Sequence, residues 1–249
     1  MIKIYGERNT NTNYLEKLIE LNLEVSQLRG VVPMGIAKLQ KQYSHKEFIK
    51  DLYFFATIKK NFGWKHQKLP KEFPNQDIKF ITITKNPYAW LLSLYKKPYH
   101  QKYKVFPKTF EEFLLTPWKT LGRDKINQKV LASPVELWNI KNRSYMEFHS
   151  KYLIHLKSED IFDNPRKIIE NISTQFNIAT KKSFFQNYIK STKGASLVYE
   201  DYREYYLQEH WKESLSLSAI NIINDKIDVA LMEYYDYDLL SGSEKCYEN

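Results

Sequence analysis

Apolar and polar positions along the chain follow two periods, one typical of short buried strands and the other of amphipathic helices. Short apolar runs predict strands at 2–5, 62–65, 78–84 and 152–156. Between and after these runs, apolar side chains recur at helical spacing, as in Ile168, Ile172 and Phe176. Because strands that alternate with helices indicate βαβ units, the sequence predicts an α/β fold with a mostly parallel central sheet flanked by helices.

Capping signals mark where several of these helices begin. A Ser or Thr followed three residues later by Glu can satisfy two unpaired backbone N–H groups, and proline fits the first helical position. The capping pairs are Ser44 with Glu47, Thr109 with Glu112 and Ser133 with Glu136, and the cap and proline pairs are Asn86-Pro87 and Asn164-Pro165. Each pair predicts a helix start.

The loop between the first strand and the first helix carries the strongest chemical signal. The strand stops at Gly6, helical spacing resumes at Leu15, and residues 8–13 between them read Arg-Asn-Thr-Asn-Thr-Asn. The first N–H groups of a helix lack internal partners and lie at the positive end of its dipole, so they attract anions. The loop therefore predicts a phosphate or sulfate site, and an ordinary helix cap is the alternative interpretation.

The loop is not a Walker A motif, because no second glycine and no lysine before a hydroxyl follow Gly6. Asparagine tolerates a positive φ better than other non-glycine residues. Asn9 and Asn11 are therefore compatible with a cradle of backbone N–H groups around an anion.

Two further segments place cations at predicted strand ends. Lys85 follows strand 78–84, and Ser93 lies about two helical turns later, so both can bind one phosphate. Lys65 and His66 end strand 62–65, and an imidazole with its ordinary pKa of about 6.5 can accept a proton. Ligands of parallel sheets bind at the carboxyl ends of the strands, which brings all three segments to one edge. A surface lysine and a structural histidine are the plainer alternatives.

Composition restricts the class of function. The 249 residues, 43% hydrophobic, suit a single domain over residues 1–249 with a polar tail from about residue 241. The net charge of +9 favours an anionic partner, but no long basic cluster or nucleic-acid module is present, so we expect a small polyanionic ligand and no nucleic acid.

No apolar run reaches the ~20 residues of a membrane span. The N-terminus leads directly into a strand and the single cysteine, Cys246, has no partner in the chain, so we expect a cytoplasmic protein.

Together these motifs resemble those of sulfotransferases that use 3′-phosphoadenosine 5′-phosphosulfate (PAPS). The run 10–13, Thr-Asn-Thr-Asn, resembles the Ser-Gly-Thr-Thr core of the family's 5′-phosphosulfate loop. Lys85-Asn86-Pro87 with Ser93 is similar to its 3′-phosphate motif, and Lys65-His66 before Leu69-Pro70 resembles its Lys-x-His segment. The run 157–165 resembles a later family segment, so four resemblances follow the family's order from residue 2 to about residue 178.

The resemblance implies a P-loop-like sulfotransferase fold and transfer of a sulfonate from PAPS to a hydroxyl or amine, without a metal. It implies that His66 takes the acceptor's proton while Lys65 and Arg8 stabilise the leaving group, and that Tyr14 stacks on adenine unless it is a core aromatic. The implied PAPS-binding residues are Arg8, Asn9, Thr10, Asn11, Thr12, Asn13, Tyr14, Lys85, Ser93 and Lys193. A base with an ordinary imidazole pKa predicts a rate that falls below about pH 6–7.

The chain departs from the family pattern in four ways. Asn11 replaces the core glycine, and Asn9 stands where the family has a basic residue, with Arg8 one place earlier. Lys85 replaces an arginine fork by a point charge, and Lys193-Gly194 only echoes a C-terminal motif. A sugar, a lipid-linked sugar or a small phenol would fit as acceptor, and the residues expected to line its pocket are Tyr99, His100, Tyr103, Phe106, Trp118 and Lys119. The rival functions are a nucleotide-binding relative such as a small-molecule kinase, and an inactive relative that binds acidic polymers.

Overall fold

The computed structural model describes residues 1–36, 46–74, 77–101, 105–190 and 197–241. The strands are β1 (Ile2–Gly6), β2 (Lys79–Thr84), β3 (Trp118–Lys119), β4 (Val130–Leu131) and β5 (Leu153–Lys157). The helices are α1 (Thr12–Asn22), α2 (Lys46–Asn61), α3 (Pro87–Lys96), α4 (Phe110–Leu115), α5 (Pro134–Met146), α6 (Ser158–Asp163), α7 (Pro165–Phe176), α8 (Tyr199–Leu207), α9 (Leu217–Asn224) and α10 (Val229–Tyr234). Short 3₁₀ turns lie at Gly122–Asp124 and His210–Ser214.

A parallel sheet in the order β1-β2-β5 forms the centre of the fold. Gly6 pairs with Ile83, and Thr84 pairs with Lys157, so the carboxyl ends of the three strands lie at one edge. Every residue of β1 is buried, as expected when helices cover both faces of a parallel sheet. The α/β class and the parallel sheet are confirmed, with strands at three of the four predicted places.

The two sides of the sheet pack different side chains. On one side, the isoleucines of β1 and β2 pack against the apolar stripes of α1 and α7. On the other side, Tyr5 and Phe80 join an aromatic cluster with Phe62, Phe73 and Phe148. A third cluster, around Trp90 and Trp138, joins α3 and α5 to the C-terminal helices. The sheet edge is therefore supported by packed helices on both sides.

The predicted helix starts are confirmed for the four caps that the structure describes. The side chains of Asn86, Thr109, Ser133 and Asn164 each accept a hydrogen bond from a backbone N–H of the first helical turn. Ser44, the fifth predicted cap, lies outside the described residues.

The predicted strand at 62–65 is wrong. Phe62 and Gly63 have φ angles of 58° and 80°, and this left-handed backbone interrupts any extended run. Side chains of β1 bond the carbonyl oxygens instead: Lys3 Nζ donates to Gly63 (2.7 Å) and Tyr5 Oη donates to Phe62 (2.6 Å). The segment is held beside β1 by side chains and by one backbone bond, from Gly6 N–H to the Lys65 oxygen (2.9 Å).

No helix within the described ranges combines the length and the apolar character needed to cross a membrane.

The cap of α7 gives a stability prediction. Asn164 Oδ1 accepts from the Lys167 N–H at 2.9 Å, so Asn164→Ala should lower the free energy of unfolding by about 1 kcal/mol, measured by urea denaturation. Asn164→Ser is the matched control and should stay close to the parent, because serine caps helices about as well as asparagine. Equal losses in both variants would assign the effect to something other than the cap.

Candidate active site

The loop after β1 turns on two asparagines in the left-handed region, Asn9 (φ 67°) and Asn11 (φ 63°). The Thr10 hydroxyl and N–H both donate to the Glu7 carbonyl oxygen, at 2.7 and 3.2 Å, which closes the turn. A Cβ at Gly6 would lie 2.6 Å from Thr10 Oγ1 and 2.9 Å from a carbonyl oxygen of β2, so this close approach requires glycine. Asn11 therefore adopts the positive φ that the glycine of the family pattern would allow, and Asn9 does the same two residues earlier.

Three backbone N–H groups at the start of α1 are available to a ligand. Those of Asn11, Thr12 and Asn13 make no hydrogen bond within the part of the chain that the structure describes. They lie at the positive end of an 11-residue helix, where an anion is favoured. The Asn11 side chain donates to Ser158 Oγ at 2.6 Å and thereby ties the loop to the start of α6. The loop is thus tied to its neighbours and forms a cradle with three backbone donors that are unpaired among the described residues.

His66 is oriented by the same loop. Its Nδ1 lies 2.5 Å from the Gly6 carbonyl oxygen, and because a carbonyl can only accept, Nδ1 carries the proton. Its Nε2 makes no hydrogen bond with the described residues and keeps its lone pair. The Trp64 ring meets the imidazole edge-on, with centroids 5.0 Å apart. When the imidazole is neutral, its proton-accepting atom is therefore Nε2.

Burial, followed by the charges of Lys65 and Arg8, lowers the pKa of His66 well below 6.5. The imidazole is consequently neutral at pH 6.5. The expected acid limb at about pH 6–7, which assumed an ordinary histidine, moves to lower pH.

Lys65 lies beside the first turn of α1. Its Nζ donates to Asn13 Oδ1 at 2.5 Å and to Glu16 Oε1 at 3.0 Å, and its side chain is almost completely buried. The ammonium is thus held beside Asn13, in the first turn of α1, and is paired with the Glu16 carboxylate.

The Arg8 guanidinium is enclosed, with only 5% of the residue exposed. It lies over the rings of Trp64 (4.5 Å) and Tyr99 (5.0 Å), and its Nη1 bonds Glu7 Oε1 at 3.2 Å. Its Nη2 donates to His100 Nδ1 at 3.4 Å. Arg8 therefore acts on the cradle through its charge, and direct contact with a ligand requires Tyr99 to move.

His100 is a poorer candidate base than His66. Its Nε2 donates to the Lys119 carbonyl oxygen at 2.7 Å, and its Nδ1 accepts from Arg8. Burial, followed by the charge of Arg8, lowers its pKa to about 4. Both ring nitrogens are engaged, so His100 is positioned to orient Arg8.

The predicted pair at the end of β2 is brought together. Lys85 Nζ donates to Ser93 Oγ at 3.2 Å, and the lysine is completely buried. Burial lowers the pKa of Lys85 to about 7, although the nearby Glu159 acts in the opposite direction. The Tyr206 ring of α8 covers the ammonium, with Nζ 3.9 Å from its centroid. A phosphate therefore reaches Lys85 only when Tyr206 moves.

Other expected residues lie in different surroundings. Tyr14 is buried and stacks on Phe162 at 5.3 Å, which is the core role that the sequence left open. Of the expected acceptor residues, Tyr99 and His100 reach Arg8, whereas Trp118 is a core residue and Phe106 stacks on Tyr95. Lys193 and Tyr103 lie outside the described residues.

Two residues at the site were missed by the sequence analysis. Lys141 on α5 and Asp124 are both completely buried and form an ion pair at 2.9 Å. The available signal was a lysine on the apolar stripe formed by Trp138 and Tyr145. Asp124 gave no signal of its own, because it meets Lys141 only in the folded chain.

The described residues contain no group of three or more His, Cys, Asp or Glu arranged to hold a metal ion.

No family model and no curated protein matches the chain. Two solved structures similar to it are a sulfotransferase domain from the Synechococcus PCC 7002 olefin synthase and a sulfotransferase domain from the curacin biosynthetic pathway. The first is 14% identical, with a TM-score of 0.46, over 96% of this chain and 95% of that one. The second is 10% identical, with a TM-score of 0.43, over 96% of this chain and 98% of that one. Likeness at this level leaves the chemistry to be argued from the residues of the site.

Proposed function

We propose that the protein is a PAPS-dependent sulfotransferase that transfers a sulfonate group to a hydroxyl or amine of an acceptor. One observation carries the proposal: the imidazole that can accept a proton is bonded through Nδ1 to the backbone of the loop that can hold the anion. An acceptor hydroxyl at Nε2 of His66 would lie next to a sulfonate held on the cradle. The proposed base is thus bonded to the proposed donor-binding loop before either substrate binds.

The donor nucleotide fits two separated anion sites. The N–H groups of Asn11, Thr12 and Asn13 would hold the 5′-phosphosulfate at the start of α1. Lys85, directly after the neighbouring strand β2, and Ser93, on α3, would bind the 3′-phosphate. Such a bisphosphate has no need of the glycine-rich Walker loop that a triphosphate requires. When bound, PAPS supplies the sulfonate group and an adenosine bisphosphate leaving group.

The side chains of this site then have distinct roles in transfer. His66 Nε2 removes the acceptor's proton as the new oxygen–sulfur bond forms and the bond to the leaving phosphate oxygen breaks. By analogy with phosphoryl transfer, we expect negative charge to grow on that leaving oxygen. Lys65, which contacts Asn13, and the cradle N–H groups would stabilise this charge, and Arg8 would add to the positive potential.

The acceptor would approach beside Tyr99 and His100, which contact the Arg8 guanidinium. A carbohydrate hydroxyl is one acceptor compatible with a neutral base, because its proton is removed only during transfer.

Nucleotide selectivity is the direct test of the proposal. At a hundredfold excess over its Kd, 3′-phosphoadenosine 5′-phosphate should raise the Tm by about 5–10 °C, measured by differential scanning fluorimetry. ATP with Mg²⁺ should raise it far less, because only the bisphosphate supplies a phosphate to each site. Equal shifts with the two nucleotides would favour a kinase-like relative.

Lys85 should control donor affinity and its pH dependence. Lys85→Met should weaken bisphosphate binding about 10–100-fold, the loss of a charge-assisted bond, while kcat at saturating PAPS stays within about threefold. Because the pKa of the buried lysine is about 7, affinity of the parent should also fall as the pH rises from 6 to 8.5. Isothermal titration across this range measures both effects, and the variant should lose most of the pH dependence. A variant that keeps the parent's pH dependence would remove Lys85 from the site.

His66 should control the chemical step. His66→Ala should lower kcat by about 10²-fold or more, with bisphosphate affinity nearly unchanged, because the proton transferred belongs to the acceptor. The parent's kcat should stay level from pH 8 down to pH 6.5, since the pKa of His66 lies well below its ordinary value. His210→Ala removes an exposed histidine and is the matched control. Turnover that survives in His66→Ala would assign the base elsewhere.

A further inference from the structure

Lys141 joins three parts of the site through one buried ammonium. Its Nζ donates to the His66 carbonyl oxygen and to Asp124 Oδ1 (2.9 Å), and it lies 3.3 Å from Glu7 Oε2. The other oxygen of that carboxylate, Glu7 Oε1, accepts from the Arg8 N–H at 2.7 Å and from Nη1 at 3.2 Å. Lys141, a side chain of α5, thereby connects the segment that carries His66 to the loop after β1, which we call the anion loop (residues 7–13).

The four charges of this cluster balance. Lys141 and Arg8 face Glu7 and Asp124, and all four residues are at most 5% exposed. Burial acts to raise the pKa of Asp124, but the charges of Lys141 and Arg8 outweigh burial and lower it. A buried ion cluster contributes little more to stability than apolar residues of the same volume would. Stability alone therefore does not explain the cluster, whose contacts hold parts of the site together.

His66 is fixed to the loop at two points. Its ring bonds the Gly6 oxygen, and its backbone is bound through Lys141 to Glu7, the next residue of the loop. Together the two contacts define where Nε2 lies relative to the cradle. A reacting group displaced by about 1 Å can cost about 10²-fold in rate, so such a double attachment has a direct kinetic consequence.

We infer that Lys141, acting through Glu7 and Asp124, is a positioning residue that holds His66 and Arg8 in the arrangement needed for sulfonate transfer. Its catalytic consequence rests on the proposed function. The geometry of His66 is measurable without any reaction, which keeps the two ideas separable.

The variants are chosen so that the fold survives. Lys141→Met removes the ammonium but leaves Asp124 buried without its cation, which can unfold the chain. The double variant Lys141→Met with Asp124→Asn removes both charges, and Glu7 keeps Arg8 as its partner. Arg143→Met is the matched control, because Arg143 is a cation of the same helix that pairs with Asp228 and not with Glu7, Asp124 or His66. Near-ultraviolet circular dichroism checks that each variant is folded.

Histidine-ring ¹⁵N–¹H correlation NMR across pH 4–8 reports the state of His66, assigned by the signal lost in His66→Ala. The parent and Arg143→Met should show a proton on Nδ1 and a titration midpoint well below 6.5. In the Lys141 variants the preference for a proton on Nδ1 should weaken, because the Lys141 ammonium no longer holds the His66 carbonyl oxygen. The titration midpoint of His66 should rise, because a cation that lowers its pKa is gone. The other charges facing His66, from Lys65, Arg8, Glu7 and Asp124, are unchanged in Lys141→Met.

Kinetics provides the second measurement. In the folded Lys141 variants kcat should fall about 10–100-fold, with bisphosphate affinity within about threefold, because Lys85 and Ser93 are untouched. A His66 signal that keeps its tautomer and midpoint in the folded variants would overturn the inference. If the signal changes as expected while the parent transfers no sulfonate, the role of Lys141 stands and the proposed function fails.

Discussion

The buried ion cluster of Glu7, Lys141 and Asp124 is the constraint on which the candidate site depends. In a low-dielectric interior, charges are tolerated only when each meets its partner in good geometry, so a partly formed cluster is strongly disfavoured. The three side chains come from the anion loop, from α5 and from the 3₁₀ turn at Gly122–Asp124. Parts of the chain that are remote in sequence therefore lock together as one unit, and His66 is included through its carbonyl oxygen.

The segment that carries Lys65 and His66 gains its position without belonging to the sheet. Side chains of β1 bond its carbonyl oxygens, and the aromatic cluster behind Tyr5 holds Phe62 in place. Functional side chains often lie on irregular segments that a rigid scaffold supports. The polar atoms of such segments stay free for ligands, whereas the backbone atoms of a strand are used in hydrogen bonds to its neighbours. Here the irregular backbone leaves Nε2 of the imidazole open while the adjacent strand fixes its direction.

The two proposed anion sites differ in whether their binding groups are uncovered before a ligand binds. The cradle at the start of α1 already presents its N–H groups, whereas Lys85 is covered by Tyr206. A completely buried lysine without an anion favours its neutral form, which is why its pKa lies near 7. A phosphate would restore the charge of Lys85 and displace the ring, so binding there is coupled to a movement of the Tyr206 side chain. Selectivity for a nucleotide with a 3′-phosphate would follow from that coupling, because a nucleotide without this phosphate gains no contact with Lys85 that offsets the cost of displacing the Tyr206 ring.

The sequence by itself determined the alternation of strands and helices, the four described helix caps and the polar loop with its two left-handed asparagines. These are local features, set by periodicity, by capping chemistry and by the backbone preferences of single residues. It also placed Lys85 and Ser93 together, because their separation follows from helix geometry. Only the tertiary structure decided that 62–65 is not a strand, that His66 is neutral, and that Lys141 meets Asp124 and Glu7. Burial and long-range pairing depend on which segments meet in space, and the pattern along the chain does not encode that directly.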